Sequence, residues 1–465
     1  MPDQVLILDA GIPKCKVQLD PSLTRGTNFP AQLGVTDAHV NVRWFGAVGD
    51  GAANDAQPIR DAVAYALAKK RTLWFPPGVY GVAGASATDA SACIHIASDT
   101  GISVIMDDMA TIKPLASFGI TGSSKVVRID APTGAGTGVV RWVGGSFDGS
   151  LLPANTTGTD LLSIGPKFKA VSVRGVVFDH GLTAPSGANL GYGGGDSSLY
   201  VKEPEQLYIT DCAFIGAVDL GVYLSGDFNT ARTGRHAVVS GNKFYRCGNA
   251  AAVKRLFSKC VLTNNHILEC GNGFFSGVAD GQTGTGSQLI VTNNTIIKTQ
   301  GSPIRLTNTT DATVSGNIVT DWRRHVSDGT TETSVSSGNI GGAIILEGSN
   351  RVSITGNILA FQDWVPVVTA NKFSVGVSIR ASTLGGSKNV IVSGNVVNSV
   401  ESAYHVDTTS VNISLLPNEI DAVIAASRLG TSATVLGAYK AGASAVTGYV
   451  EIKDPSGVIR KLAVI

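Results

Sequence analysis

The sequence predicts an all-β fold, a single-stranded parallel β-helix in which short strands wind into successive coils. Three observations predict it: a repeated strand pattern that ends in Asn, one amphipathic helix before the repeats, and a composition with 56 glycines and 15% charged residues. A chain of 465 residues is too long for one ordinary core, whereas a solenoid extends its core by stacking coils.

The repeats are short runs of alternating apolar residues that end in Gly-Asn or Asn-Asn. Weaker copies surround Ser146, Gly175 and Cys212, and the clear copies end at Asn242, Asn265, Asn294, Asn317, Asn357 and Asn395. The shortest spacing, 23 residues from Asn242 to Asn265, accommodates three short strands and three turns at about 3.3 Å per residue. Because Asn tolerates left-handed backbone and can bond its counterpart in the next coil, we interpret these residues as structural.

An amphipathic helix over residues 58–70 precedes the repeats, with Ile59, Val63 and Leu67 on one face and Asn54 or Asp55 as its N-cap. In front of a solenoid, such a helix would cover the unpaired edges and apolar residues of the first coil. We therefore expect a β-helix with its capping helix over residues 41–415, preceded by a separate N-terminal segment over residues 1–40 and followed by a C-terminal β segment over residues 416–465.

The C-terminal segment is predicted to contain two strands around the turn Asp454-Pro455-Ser456-Gly457. A hairpin alone is marginally stable, and the apolar face of this one needs a partner. Either a homotypic trimer or the rest of the same chain would provide it.

Composition excludes several classes of protein. The balance of 36 basic and 35 acidic residues disfavours nucleic-acid binding, and no run of about 18 apolar residues predicts a membrane span. The chain start lacks the basic and apolar regions of a secretory signal peptide, so we expect synthesis in a cytoplasm without that export route.

The six cysteines and seven histidines follow neither a disulfide framework nor a chelating spacing. Cys247 and Cys270 each lie five residues after a repeat Asn, and we expect them to stack inward as free thiols. No metal and no cofactor are predicted.

Residues Phe45-Gly46-Ala47, Gly49-Asp50-Gly51 and the later Phe75-Pro76, Gly78 and Tyr80 resemble the opening of the pectate-lyase-like right-handed β-helix superfamily, in the form common in bacteriophage tailspikes and depolymerases. The acidic-Thr element of that pattern is reduced here to Asn54-Asp55-Ala56. The likeness covers about forty residues and is specific for the fold rather than for an activity. We interpret Asp50, between two glycines, as a turn residue.

The resemblance implies a homotrimeric tailspike that is made in the host cytoplasm, joins the virion tail or baseplate through residues 1–40, and acts at the bacterial cell surface. There it would bind and hydrolyse a capsule, O-antigen or exopolysaccharide. Two other interpretations remain open: a receptor-binding tail fibre without activity, and a bacterial β-helix enzyme such as a polysaccharide lyase or an inulin-fructotransferase-like protein.

Outward-facing residues of the strands are the candidates for this chemistry. Glycoside hydrolysis needs two carboxyls about 5 Å or roughly 6.5 to 9.5 Å apart, which acids one or two coils apart would satisfy. Glu347 directly follows a predicted strand and is the first catalytic candidate, with Asp363, Asp280 or Asp407 as its partner. The expected substrate-binding residues are Tyr223, Lys254, Arg305, Trp322, Trp364 and Asp407. A lyase would instead rely on Lys254, Arg255, Arg305 and Arg380.

Overall fold

The computed structural model is a right-handed parallel β-helix, which confirms the predicted fold class. For the segments before residue 39 and after residue 420 it describes the backbone alone. The described residues are 4–9, 12–18, 39–119, 124–134, 136–152, 159–181, 197–226, 236–254, 257–277, 286–299, 301–322, 342–360, 375–416, 418–429, 434–435, 440–441, 449–453 and 459–463. Within them, no helix has the length and hydrophobicity to cross a bilayer.

Each coil contributes one strand to each of three parallel sheets, which we call sheets I, II and III. Sheet I has 14 strands: His39–Asn41, Thr72–Phe75, Gly101–Met106, Val139–Val143, Ala170–Arg174, Gln206–Thr210, His236–Ser240, Ser258–Thr263, Gly286–Thr292, Thr309–Ser315, Asn350–Thr355, Lys388–Ser393, Val411–Leu415 and Thr434–Val435.

Sheet II consists of Asp50–Asn54, Gly78–Val82, Ala110–Pro114, Ser146–Asp148, Val177–Asp179, Ala213–Ile215, Lys243–Tyr245, His266–Leu268, Thr295–Ile297, Ile318–Thr320 and Ile358–Ala360. Sheet III consists of Ala92–Ala97, Lys125–Asp130, Asp160–Ile164, Ser197–Lys202, Leu220–Ser225, Asn249–Lys254, Asn272–Gly277, Ile304–Thr307, Gly342–Glu347 and Val375–Arg380. Two long strands, Val396–Val406 and Glu419–Leu429, pair with both sheets II and III or continue them.

The corner between sheets I and II, which we call the asparagine corner, is the most regular part of the solenoid. From Val143 to Val396, each connection between these sheets has two residues. The first adopts left-handed backbone, as at Asn264 (φ 55°) and Gly316 (φ 64°). Gly and Asn adopt this conformation at the lowest cost, which explains the Gly-Asn and Asn-Asn pairs of the sequence.

From Asn242 onward, the second corner residue is a buried Asn whose amide bonds to the next coil. Asn265 donates its backbone N–H and its Nδ2 to Oδ1 of Asn294, both at 3.0 Å, and its Nδ2 also donates to the Val239 carbonyl at 2.9 Å. The same bonds repeat along the corner, so the structural interpretation of these residues is confirmed. The ladder also includes Asn418, which the sequence analysis omitted.

Inside the coils, inward side chains stack on their equivalents in the next coil. The rings of Phe147, Phe178, Phe214 and Phe244 form such a column, with successive centroids 5.2, 5.1 and 4.9 Å apart. Offset-stacked rings at this separation contribute beyond the burial of their area. Sheet register in this half of the solenoid is therefore set by aromatic as well as amide columns.

The cysteines of the described side chains are free and buried, as expected; the side chain of Cys15 lies outside them. Burial raises the pKa of the Cys260 thiol to about 12. Burial likewise raises the pKa of Cys212 to about 11, although backbone hydrogen bonds oppose it. These thiols are neutral packing groups at ordinary pH.

The predicted capping helix is present as α1, Ala56–Lys69, two residues earlier at its start than expected. It packs over the first coil, with Ile59 and Val63 buried. Asp55 occupies the N-cap position, yet its carboxylate accepts hydrogen bonds from the backbone N–H groups of Val48 and Gly49 rather than capping the helix.

Asp50 is a turn residue, as the sequence indicates. Its Oδ1 accepts hydrogen bonds from the backbone N–H groups of Ala52 at 2.9 Å and Ala53 at 2.8 Å. These bonds lower the pKa of Asp50 because they stabilise its ionised form. The residue holds the loop before α1 and has no catalytic surroundings.

The solenoid extends beyond the boundary expected at residue 415. Glu419–Leu429 pairs in parallel with Val396–Val406, and Lys440–Ala441 continues the same sheet. The sequence analysis did not predict these coils, because the Ala- and Ser-rich sequence after Leu415 has only a weak alternation of apolar residues.

Each end of the described chain carries an antiparallel hairpin. Tyr449–Lys453 pairs with Ile459–Ala463, which confirms the two strands predicted near the C-terminus. At the other end Gln4–Asp9 pairs with Ile12–Gln18, a hairpin that the sequence analysis did not predict. The roles assigned to these end segments, attachment and trimerisation, stay predictions.

The connections that vary most in length begin or end at strands of sheet III. Long connections lead into it from sheet II between residues 179 and 197, 320 and 342, and 360 and 375, and others leave it between 225 and 236 and between 277 and 286. Between Val143 and Val396, the asparagine corner has no such insertions. Functional residues concentrate where loops vary on a rigid scaffold, so the outer face of sheet III is the first place to look for a site.

Candidate functional site

The outer face of sheet III presents two columns of side chains, set by the parallel register of its strands. In the first column Tyr200, Tyr223, Ala252, Phe275 and Arg305 follow one another on five successive strands. Because side chains alternate along a strand, the second column lies two residues further on and includes Lys254.

Three rings of the first column and two cations form what we call the aromatic strip: Tyr200, Tyr223, Phe275, Lys254 and Arg305. The Tyr200 and Tyr223 rings meet edge to face, 5.0 Å apart. Nζ of Lys254 lies 5.2 Å from the Tyr223 ring centre and 5.7 Å from that of Phe275. The Arg305 guanidinium lies 5.5 Å from the Phe275 ring centre. All five side chains remain partly exposed.

Ala252 explains how Lys254 reaches both rings. It stands in register between Tyr223 and Phe275, and its methyl group leaves a gap where a larger side chain would separate them. The Lys254 ammonium covers this gap, and the Ala252 side chain beneath the ammonium is fully buried. Cations over ring faces at these distances gain about 0.5–2 kcal/mol.

Glu347 forms a buried charge cluster at the C-terminal end of the strip. Its carboxylate accepts hydrogen bonds from Arg305 (Nε 2.8 Å, Nη2 3.1 Å), Arg380 (Nε 2.9 Å, Nη2 2.6 Å) and the Thr307 hydroxyl (2.6 Å). The residue is 5% exposed. Thr307, Glu347 and Arg380 are successive members of the second column, so sheet register brings the cluster together.

These contacts argue against the catalytic role predicted for Glu347. Burial by itself would raise the pKa of the carboxyl, but Arg305, Thr307 and Arg380 outweigh it and lower that pKa below its ordinary value. A general acid needs a raised pKa, and a nucleophile needs an oxygen that is free to attack. Glu347 has neither, and its described surroundings fit a residue that orients Arg305 and Arg380.

Asp407, expected to bind substrate, instead organises a turn. Its carboxylate accepts hydrogen bonds from the backbone N–H groups of Ala381, Thr409 (3.2 Å) and Ser410 (2.8 Å). Burial raises its pKa, but the bonds from Ser410, Ala381 and Thr409 lower it further than burial raises it. The side chain therefore stays ionised and engaged with the backbone.

Trp322 is not an outward ring, because its side chain is 1% exposed. The spacing that predicts the inward cysteines also accounts for it. Cys247, Cys270 and Trp322 each lie five residues after a ladder Asn, and all three are buried. Applied consistently, that spacing would have predicted an inward Trp322.

Three of the predicted site residues, Asp280, Asp363 and Trp364, lie outside the described residues. Arg255, named for a lyase, does so as well. The structure brings together Tyr223, Lys254 and Arg305 from the expected set. Tyr200 and Phe275 were missed, although each occupies the same outward position as Tyr223 in its own strand.

A second charged cluster lies on the same face, near its N-terminal end. Arg128 donates to Asp89 at 2.8 Å and to Asp130 at 2.5 Å, and His95 Nε2 lies 3.2 Å from the same Asp130 oxygen. Ligand atoms of Asp89, His95 and Asp130 lie within 4.8 Å of one another, a spacing compatible with a metal ion. The Arg128 guanidinium already supplies the positive charge there, so we assign the group as an ion-pair cluster.

Two family models match the chain. One, described as right handed beta helix region, matches residues 189–359, and the other, described as rhamnogalacturonase A/epimerase, pectate lyase-like, matches residues 39–94. The second match covers the sequence motif before and after α1. No curated protein matches the chain by sequence.

Solved structures share the architecture at low sequence identity. A tailspike mutant of E. coli bacteriophage HK620 in complex with a pentasaccharide has a TM-score of 0.51 at 15% identity, over 88% of this chain and 79% of the other. The mannuronan C-5 epimerase AlgE4 A-module of Azotobacter vinelandii has a TM-score of 0.49 at 16% identity, over 86% and 100%. The Streptococcus pneumoniae surface adhesin PfbA has a TM-score of 0.47 at 14% identity, over 91% and 99%. At 15% identity, the likeness to the HK620 tailspike shows the fold alone.

Proposed function

We propose that this chain, which belongs to the pectate-lyase-like right-handed β-helix superfamily, binds a bacterial surface polysaccharide along the outer face of sheet III, as part of a bacteriophage tailspike. The aromatic strip is the observation that carries the proposal. It is a row of partly exposed rings and cations on a rigid sheet, next to the connections in which the coils vary in length.

The dimensions of the strip suit an extended polymer. Strands of one sheet lie about 4.8 Å apart, so four steps from Tyr200 to Arg305 span about 19 Å. Ring faces and edges can pack against the apolar faces of sugars, while Lys254 and Arg305 supply hydrogen-bond donors. An open strip of this length fits a polymer laid along it better than a small molecule, which binds in an enclosed pocket.

The described residues support binding more strongly than cleavage. Glu347 and Asp407 are both ionised and bonded to protein donors, so neither supplies the proton that glycoside hydrolysis requires. Hydrolysis within this proposal depends on Asp280 and Asp363. Loss of cleavage in both Asp280→Asn and Asp363→Asn, with binding retained, would support that enzymatic form.

We further propose that three copies assemble and that residues 1–40 join the virion tail. The apolar alternation of the C-terminal hairpin, Tyr449–Lys453 with Ile459–Ala463, supports the assembly. Light scattering coupled to size exclusion should give three times the chain mass, and deletion of residues 449–465 should reduce it. A full-length chain that is monomeric at micromolar concentration would contradict the proposal.

The alternatives predict different outcomes in a single assay. A receptor-binding fibre would retain a host polysaccharide on the protein and leave its length distribution unchanged. A bacterial enzyme of the polysaccharide lyase or inulin-fructotransferase-like kind would convert its substrate without a phage host being involved. Polymer length after incubation, measured by size exclusion, separates these outcomes.

The binding proposal is tested by Tyr223→Ala against Tyr208→Ala. Tyr223 lies in the strip, whereas Tyr208 is an exposed tyrosine on the outer face of sheet I. We expect Tyr223→Ala to weaken binding of the retained polysaccharide about tenfold, equivalent to about 1.4 kcal/mol, and Tyr208→Ala to leave it unchanged. Equal affinities for both variants and the original chain would show that the strip is not the binding face.

A further inference from the structure

Cations on the outer face of sheet III bear on the charge of the polymer, an inference that rests on the proposed function. The two outward columns of sheet III carry five lysines and arginines whose side chains are described: Arg128, Lys202, Lys254, Arg305 and Arg380. Four of them pair with acids of this chain. Arg128 pairs with Asp89 and Asp130, Lys202 with Glu203 at 3.3 Å, and Arg305 and Arg380 share Glu347.

Lys254 differs from the other four. Among the residues that the structure describes, its contacts are the faces of Tyr223 and Phe275, and no carboxylate pairs with it. Rings attract the ammonium without neutralising its charge. The three N–H donors of Lys254 therefore remain available to a ligand on the outer face of sheet III. The two rings restrict the position of the ammonium.

A second cation contacts the same ring as Lys254. The Arg305 guanidinium lies 5.5 Å from the Phe275 ring centre, and its described acid partner, Glu347, is shared with Arg380. Charges of one sign that lie close together on a surface raise the local concentration of the opposite ion. The rings also displace water from one side of the ammonium, which strengthens its attraction for an anion.

We infer that the strip recognises an acidic polysaccharide, and that Lys254 binds the carboxylate of a uronic acid residue while neighbouring sugars pack on Tyr200 and Tyr223. Arg305 is restrained by Glu347 and contributes to the positive potential. Glu347 thus acts as a positioning residue: it fixes Arg305 beside Phe275 and keeps the guanidinium from competing for the same anion.

The test compares one polymer in two charge states. Binding is first measured on an array of neutral and uronate-containing bacterial polysaccharides, and the best uronate-containing ligand is then carboxyl-reduced to its neutral form. We expect at least a tenfold loss of affinity on reduction. Lys254→Met should lower affinity for the native polymer about tenfold and leave affinity for the reduced polymer unchanged, while Lys254→Arg should restore most of the loss.

Lys202→Met is the matched control, because Lys202 lies in the same column and has its own acid partner in Glu203. It should reduce affinity for the native polymer less than twofold. If a neutral polysaccharide binds best, or if carboxyl reduction or Lys254→Met changes nothing, the acidic specificity is wrong. In that case Tyr223→Ala would still weaken binding. If no polysaccharide on the array binds, the proposed function itself is wrong and the inference falls with it.

Discussion

The asparagine corner and the outer face of sheet III are built by the same coils, yet their polar groups are satisfied in opposite ways. At the corner, each ladder amide bonds an identical amide one coil away, and the connections from Val143 to Val396 all have two residues. On sheet III, rings, cations and a carboxylate meet unlike partners, and the connections vary in length.

Within one coil, the asparagine corner therefore contributes stability and the outer face of sheet III contributes recognition. A repeated amide ladder leaves no polar group without a partner and allows no substitution without breaking a bond above and below. The face of sheet III tolerates different residues at each step because its side chains are partly solvated. We therefore expect corner substitutions to affect folding alone, and face substitutions to affect binding more than folding.

The largest effect is expected for Asn294→Ala. The Asn294 Oδ1 accepts the N–H and Nδ2 of Asn265, and its Nδ2 donates to Asn317 and to the Leu262 carbonyl. Each buried group left without a partner costs about 1–3 kcal/mol, so we expect about 4 kcal/mol of lost stability. Thermal and denaturant unfolding would measure this loss.

Asn389→Ala is the control for the amide ladder. Asn389 also bonds asparagines of adjacent coils, Asn350 and Asn412, but at an exposed position. Water can replace these bonds, so we expect less than about 1 kcal/mol. Equal destabilisation by Asn294→Ala and Asn389→Ala, or a loss of polysaccharide binding in folded Asn294→Ala, would contradict the separation of the two regions.

A smaller effect on folding is expected for Glu347→Gln. The change leaves Arg305 and Arg380 without their shared counter-charge in a buried setting, and breaking such a pair costs about 3 kcal/mol. Asp311→Asn, which breaks the exposed pair with Arg351, should leave the melting temperature unchanged. A Glu347→Gln protein that is fully stable but has lost polymer cleavage would restore the catalytic assignment.

Because the Glu347 carboxylate titrates, the stability that its ion pairs contribute should depend on pH. Because the pKa of Glu347 is lowered in the folded protein, its contribution is fully present above the unfolded pKa, near 4.5, and is lost as the pH falls through the folded pKa. The difference in melting temperature between the original chain and Glu347→Gln should therefore shrink below about pH 4.5. A difference that stays constant down to pH 2 would show that the ion pairs contribute nothing.

The smallest effect is expected for Asp407→Asn. The single amide oxygen of Asn can still accept from the Thr409 and Ser410 N–H groups, whereas its Nδ2 replaces the oxygen that accepts from Ala381, so about one hydrogen bond is lost, about 1 kcal/mol. Polysaccharide binding should not change. A large loss of binding with an unchanged melting temperature would show that Asp407 contacts the ligand.

Much of the fold could be predicted because its pattern is local. Alternating apolar residues specify which side chains point inward, and a Gly-Asn or Asn-Asn pair specifies where the chain turns. Asn418 and the coils after Leu415 were missed where small residues weaken that pattern. Trp322 was placed on the wrong side although its distance from Asn317 indicates an inward position.

The site was less predictable. Tyr223, Lys254 and Arg305 are outward residues, and alternation identifies them, but it does not say which outward residues touch. Glu347 meets Arg305 and Arg380 although they lie 42 and 33 residues away along the chain. Its environment changes its chemistry, from a candidate acid to an ionised partner of two guanidiniums.

The sequence by itself determined the parallel β-helix, the helix that caps it and the amide ladder, because each depends on spacing within one coil or on the repeat of that spacing. Only the tertiary structure decided that Lys254 lies between two rings without an acid while Arg305 and Arg380 share one. Those contacts depend on strand register between coils of unequal length. Because the inserted residues make the spacing irregular, the sequence alone does not show which side chains become neighbours.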